Sequence, residues 1–271
     1  MPCWVDGQPG ESLPVVDRGL AYGDGLFETI AVRRGRPLLL ERHLARLAEG
    51  CVRLAIPGDL ALIRSELLAF SAELGEGVAK LLLTRGDGQR GYAVSQPLQP
   101  RRILLGSPPP QYPPAHAEQG VRLHPCRTRL AEQPLLAGLK HLNRLEQVLA
   151  RAEWQDAEYA EGLMRDLSGR VIEGVFSNLF LVRDGRLLTA DLCRCGVAGV
   201  MRAEILDLAE RMGIPVQVRD IALAELLAAD EVFLCNSLYG IWPVRGFEGH
   251  GWPVGTLTRK LQAPIRKLLD S

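Results

Sequence analysis

A chain of 271 residues, 47% of them hydrophobic, is long enough for one or two domains and buries a core without disulfide or metal staples. Its 32 Lys and Arg balance 32 Asp and Glu. This argues against a general nucleic-acid or membrane-surface binder, whose contacts need a basic excess. No apolar run exceeds four residues, whereas a spanning helix needs roughly 20. The opening MPCWVDGQPGESL has neither the basic nor the apolar stretch of a secretory leader. The six cysteines are therefore expected to be reduced thiols in a cytoplasmic protein. Cys193 and Cys195 form the one close pair, and without a second pair no metal site is expected.

Taken in order, residues 3–5 read as an opening strand closed by the Asp6-Gly7 turn. Residues 25–32 read as a strand, with a hairpin turn at Arg34-Gly35-Arg36 into 37–40. Leu44, Leu47, Cys51 and Leu54 then mark one amphipathic helix, and Leu60, Ile63, Leu67 and Leu74 a second. Strands are expected at 78–85 and 101–105. Five prolines between 107 and 118 exclude a helix or interior strand there. That stretch reads as a linker between a small α/β domain (1–106) and a larger C-terminal domain (119–271), although a long surface loop has the same composition. Beyond it, a helix over 143–154 is expected, with Asn143 as cap and Glu146 three residues on. A strand series at 159–165, 171–182 and 186–188 follows, then a helix at 199–212 and a strand at 215–218. A short helix near 222–228, a strand at 231–235 and a helix at 256–269 complete the chain. Two α/β domains with a ligand cleft between them are the expectation.

Several residues have the chemistry of a site. Lys140 lies at a junction between a Gly-containing approach and a helix start. In a desolvated cleft it would be a nucleophile or base, but position alone favours a solvated lysine. Glu173 stands in a mostly apolar strand series and needs a partner if buried, either a protonated ligand nitrogen or a structural cation. The helix start at Gly199-Val200-Met201 offers free backbone N–H groups to a phosphate. Taken alone, such a start is usually just a turn. Ser237, after a strand, adds a hydroxyl, and Arg46, off its helix's apolar stripe, a counter-charge or merely a solvated surface group. The helix start at 199–201 lacks the P-loop and GxGxxG patterns, and the chain has no HExxH or GxSxG element.

In this order the residues resemble the class IV, or fold-type IV, pyridoxal-phosphate enzymes. That superfamily includes branched-chain aminotransferases, D-amino-acid transaminases and aminodeoxychorismate lyases. The landmarks are DRGLAYGDGLFET (17–29), ERHLARL (41–47), Lys140, EGVFSNLF (173–180), GVMR (199–202) and ADEVF (229–233). LKHLNRLEQVL (139–149), Thr84-Arg85-Gly86 and Arg90-Gly91-Tyr92 are most similar to the lyase branch. Arg144 departs from the branched-chain enzymes, which have a tyrosine near the cofactor's phenolic oxygen there.

The resemblance implies a two-domain α/β architecture with pyridoxal 5'-phosphate in the interdomain cleft. Lys140 would hold the cofactor as an aldimine. Arg46, the N–H groups of Val200 and Met201, and the Ser237 hydroxyl would hold its phosphate. Glu173 would keep the pyridine nitrogen protonated, so that the ring stabilises a quinonoid, with Asn178 in the same cofactor set. Arg90 and Tyr92 are the candidates for the substrate carboxylates. The implied reaction turns 4-amino-4-deoxychorismate into 4-aminobenzoate and pyruvate, in a homodimer with sites near the subunit interface. A transaminase of D- or branched-chain amino acids is the alternative on the same cofactor. A non-catalytic binding or scaffold protein is the alternative from another class.

Overall fold

Alternating apolar residues and two amphipathic stripes organise the N-terminal third. A computed structural model describes residues 1–94 and 96–270. The chain divides into two units: Met1–Pro110 with Leu139–Asn143, and Gln111–Gly138 with the chain from Arg144 onward.

The first unit runs β1 (Cys3–Val5), β2 (Gln8–Pro9), α1 (Arg18–Tyr22), β3 (Gly25–Arg33), β4 (Arg36–Pro37), α2 (Leu40–Leu54), α3 (Leu60–Leu74), β5 (Gly77–Thr84) and β6 (Arg101–Ser107). The strands form one antiparallel sheet in the order β2-β1-β6-β5-β3-β4. Its hairpins turn at Asp6-Gly7 and Arg34-Gly35, all four residues at positive φ, which matches the right-handed strand twist. Asp17 caps α1 by accepting from Gly19 N–H, and left-handed Gly23 ends it. Asp59 caps α3 in the same way, accepting from Leu62 N–H at 3.0 Å.

The predicted stripes face the core. Leu44, Leu47 and Cys51 of α2 and Ile63 and Leu67 of α3 are buried against Leu26, Ile30 and Val32 of β3 and Leu81 and Leu83 of β5. Each such side chain contributes about 1.5–3 kcal/mol of burial. Trp4 meets Phe70 edge-on at 5.4 Å. The returning segment 139–143 adds Leu139 to this core.

The second unit runs α4 (Pro114–Glu118), β7 (Val121–Leu130), α5 (Leu145–Arg151), β8 (Tyr159–Asp166), β9 (Val171–Gly174), β10 (Asn178–Arg183), β11 (Arg186–Ala190), α6 (Val200–Arg211), β12 (Val216–Arg219), α7 (Leu223–Leu227), β13 (Glu231–Asn236), β14 (Gly240–Phe247), β15 (His250–Gly251) and α8 (Thr256–Leu269). Its mixed sheet has the order β12-β11-β10-β13-β14-β7-β8-β9, with β15 on β14. β9 also pairs with β10, at Glu173 opposite Asn178. Strands β10, β13, β14, β7, β8 and β9 therefore close into a ring.

Four expectations are corrected. The run 171–182 is two strands, because the chain turns over 175–177. Pro114 begins a short helix, since the first helical position has no N–H to lose. α5 starts at Leu145 rather than Asn143; the Asn143 amide donates to Gly23 C=O at 3.2 Å instead, and Glu146 accepts from Ala131 N–H. Strands β7 and β14 were not foreseen, and each contains a proline (Pro125, Pro243). The β7–β8 pairing shifts register between Pro125 and Arg129, so the irregularity accommodates that ring. Among the described residues, no helix is long and apolar enough to cross a membrane.

Candidate functional site

In the first unit, Lys140 sits on a segment laid antiparallel to the start of β3. Phe27 N–H donates to Lys140 C=O at 2.9 Å, and Leu142 N–H to Gly25 C=O at 3.0 Å. A side chain at Gly25 has no room, because its Cβ would lie 2.5 Å from Leu83 C=O of β5 and 2.8 Å from the Leu142 side chain. Lys140 is half-buried, and its Nζ stands 4.3 Å from the centre of the Phe27 ring. It is not on an exposed helix face.

Arg46 is tied down beside it. Its Nε and Nη2 donate to the two oxygens of Glu28 at 2.8 and 2.5 Å, and His43 Nδ1 lies 2.5 Å from Glu28 Oε2. Side chains of Glu28 and His43 are 2% and 1% exposed. Burial alone would raise the Glu28 carboxyl, but Arg46 and His43 outweigh it and hold it at about 2. Burial lowers His43, and the charges of Arg46 and Lys140 push the same way against the pull of Glu28. A neutral His43 then donates from Nδ1 and keeps Nε2 as an acceptor. That Nε2 is buried with no hydrogen-bond partner among the described residues.

In the second unit, Glu173 lies on β9 and is 4% exposed. Its Oε2 accepts from Val197 N–H at 2.9 Å and from the Asn178 amide at 3.3 Å. The same amide donates to Val197 C=O at 2.9 Å, so Asn178 ties Glu173 to the loop that enters α6. Gly199 is the N-cap of α6 and offers no side-chain cap, which leaves the first N–H groups of the helix to a ligand. An added Cβ at Gly199 would lie 2.0 Å from Asn178 Oδ1. Val200 and Met201 are buried in this first turn. Ser237 is half-buried in the turn after β13, where Asn236 Oδ1 accepts from Leu238 and Tyr239 N–H.

Arg90 and Tyr92 are exposed in the long β5–β6 loop, Tyr92 at 84%. Arg18 anchors that loop by donating to the carbonyls of Gly91, Tyr92 and Ala93 at 3.2–3.3 Å. The first unit thus gathers Arg46 and Lys140, and the second gathers Glu173, Asn178, Val200 and Met201. Glu28, His43 and Val197 are further members that sequence reasoning passed over. Spacing offered a signal only for His43, which lies three residues before Arg46 on α2. Among the described residues, no cluster of His, Cys, Asp and Glu is placed to hold a metal ion.

The chain is 40% identical, over 97% of its length and 98% of the relative's, to an aminodeoxychorismate lyase of Vibrio harveyi. It is 69% identical to a solved 4-amino-4-deoxychorismate lyase of Pseudomonas aeruginosa, with a TM-score of 0.98 and coverage of 99% and 100%. A branched-chain aminotransferase of Escherichia coli shares the fold at 24% identity and TM-score 0.85, covering 99% of this chain and 94% of that one. The model of the family amino-transferase class IV matches residues 25–247, a span from the start of β3 to the end of β14. It takes in Arg46, Lys140, Glu173 and the N-terminus of α6, and this chain belongs to that family.

Proposed function

We propose that the protein is a pyridoxal-phosphate-dependent lyase that converts 4-amino-4-deoxychorismate to 4-aminobenzoate and pyruvate. The observation that carries this reading is the 69% identity to the Pseudomonas lyase over 99% of the chain. The residues fit the cofactor. An uncapped helix start suits a phosphate, and the lack of a Cβ at Gly199 leaves room for the Asn178 side chain beside it. A buried carboxylate held by an N–H and an amide suits a protonated ring nitrogen.

When bound, the cofactor supplies an electron sink for the pair left at ring C4 of the substrate. Lys140 would be the covalent anchor at rest and, once the substrate's 4-amino group has displaced it, the free amine whose Nζ takes the C4 proton. The Phe27 face shields that amine from water on one side. Glu173 keeps the ring nitrogen protonated, and Asn178 keeps Glu173 in place. Arg46, the N–H groups of Val200 and Met201, and the Ser237 hydroxyl hold the phosphate. Arg90 and Tyr92 receive the substrate carboxylates. The substrate loses the C4 proton and its enolpyruvyl C–O bond at C3, and the ring becomes aromatic. The two products together contain every atom of the substrate, so no amino acceptor is consumed.

The test is incubation of protein and cofactor with 4-amino-4-deoxychorismate. 4-Aminobenzoate and pyruvate should appear in equal amounts. Conversion of amino acids to keto acids without 4-aminobenzoate would replace this reading with a transaminase. We further infer a cytoplasmic homodimer. Support comes from Leu145, Val148 and Leu149 of α5, which are 76%, 60% and 60% exposed in one apolar stripe. Sedimentation at assay dilution should give twice the 29.8 kDa chain mass, and an active monomer would refute it.

A further inference from the structure

Glu161 of β8 is a carboxylate with no place in the chemistry above. It is 0% exposed, and among the described residues no Lys, Arg or His forms an ion pair with it. Its partners are all donors, three of the four from one short stretch. Oε1 accepts from Gly162 N–H at 2.9 Å and Val175 N–H at 3.0 Å. Oε2 accepts from Phe176 N–H at 3.3 Å and from the Ser177 hydroxyl at 2.8 Å. Residues 175–177 are the turn between β9 and β10.

The residues flanking that turn give the contact its consequence. Gly174 N–H donates to Ser177 C=O at 2.7 Å, and one step outward Glu173 faces Asn178 across the pair that closes the ring of strands. The Val175 N–H is shared between Glu161 and Gly162 C=O, the latter at 3.2 Å, and the Phe176 N–H donates to Glu161; a buried donor left unmet costs about 1–3 kcal/mol. A carboxylate meets them with four lone-pair sites on two atoms, which no neutral side chain supplies. Burial pushes the Glu161 carboxyl up to about 7, against the pull of these four hydrogen bonds. The position next to Glu173 has no room to adjust. A Cβ on Gly174 would lie 2.2 Å from Ser177 Oγ and 3.0 Å from the Glu161 carboxyl.

We propose that Glu161 is a positioning residue, which holds the 175–177 turn so that Glu173 and Asn178 stay in register and the Glu173 carboxylate keeps its direction. The inference rests on the reading of Glu173 as the partner of the cofactor's ring nitrogen, and its test separates the two.

Apo-protein and the variants Glu161→Gln and Ser177→Ala are titrated with pyridoxal phosphate and with its 1-deaza analogue, which has carbon at the ring-nitrogen position. Glu161→Gln should weaken pyridoxal phosphate about tenfold and the analogue less than about twofold, because only the ring-nitrogen contact is misdirected. Ser177→Ala, which removes one donor, should show the same preference in smaller measure. Equal weakening of both ligands, or no weakening of either, overturns the proposal. Wild-type protein that binds both ligands equally overturns it together with the reading of Glu173, and is the one result that strikes that reading. If Glu161→Gln fails to fold, Ser177→Ala carries the same comparison.

Discussion

Glu28 is a buried acid with two cationic or hydrogen-bonding neighbours, and its ionisation carries stability. Its carboxyl falls from 4.5 to about 2 on folding. A depressed acid stabilises the fold above the unfolded value, and that contribution fades as pH falls through the folded one. The window is therefore about pH 4.5 down to 2, and the shift corresponds to about 3 kcal/mol. Glu28→Gln should cost roughly 3–5 kcal/mol near neutrality, because Arg46 is left facing an amide. Urea unfolding as a function of pH should also show a flatter acid limb in the variant. An unchanged midpoint at pH 7 would show that the pair contributes nothing.

The same scale governs Glu173. Glu173→Gln retains the shape that Asn178 and Val197 grip, but it cannot hold a proton on a pyridine. Losing a charge-assisted contact costs roughly 1.5–3 kcal/mol, about ten- to a hundredfold in rate. The variant should take up the cofactor and lose 4-aminobenzoate formation by that factor in a steady-state assay. Near-normal turnover would make Glu173 structural.

At the scale of elements, the start of α6 is the sensitive point. Gly199 must lack a side chain for Asn178 to reach Val197 C=O and Glu173 together. Gly199→Ala should cost about 1–3 kcal/mol of stability by overpacking. It should also weaken cofactor retention on dialysis, since Asn178 must move. The same change at Gly185, where an added Cβ meets nothing within 4 Å, tests only the strain of a positive φ and should leave retention intact.

For the whole molecule, Glu161 acts on stability in the sense opposite to Glu28. Its carboxyl rises from 4.5 to about 7 on folding. A raised acid contributes stability that is full below the unfolded value and is lost as pH rises through the folded one. Tyr112, Tyr239 and Cys126 also feel its charge; burial first, and that charge with it, hold all three above their usual ranges, so they stay neutral throughout. Relative to Glu161→Gln, the wild type should lose about 3 kcal/mol of unfolding free energy between pH 4.5 and 8. Denaturant titrations of both proteins across that range check it, and parallel curves would refute it.

Elements that depend on their own residues were legible in the sequence. Helices α2 and α3 followed from their stripes, β3 and its turn from Arg34-Gly35, and α8 from its own pattern, because periodicity and turn preference act within one segment; the arm expected over 37–40 is only β4, Arg36–Pro37, because Leu40 already begins α2. Lys140, Glu173 and Gly199 stood out as residue types at unusual positions, and their order along the chain carried the resemblance. What escaped depends on partners distant in sequence. The break at 175–177 looked like uninterrupted strand, because the group that satisfies its N–H donors is Glu161, on another strand. Asn143 looked like a helix cap, because its real partner, Gly23, lies 120 residues away. Strands β7 and β14 were hidden by prolines that local rules exclude and that sheet pairing tolerates. The burial of Glu28 with His43 and Arg46 likewise exists only once α2 packs on β3. Buried hydrogen bonds and charges have energies set by desolvation and by which groups meet, and only the tertiary structure decides which groups meet.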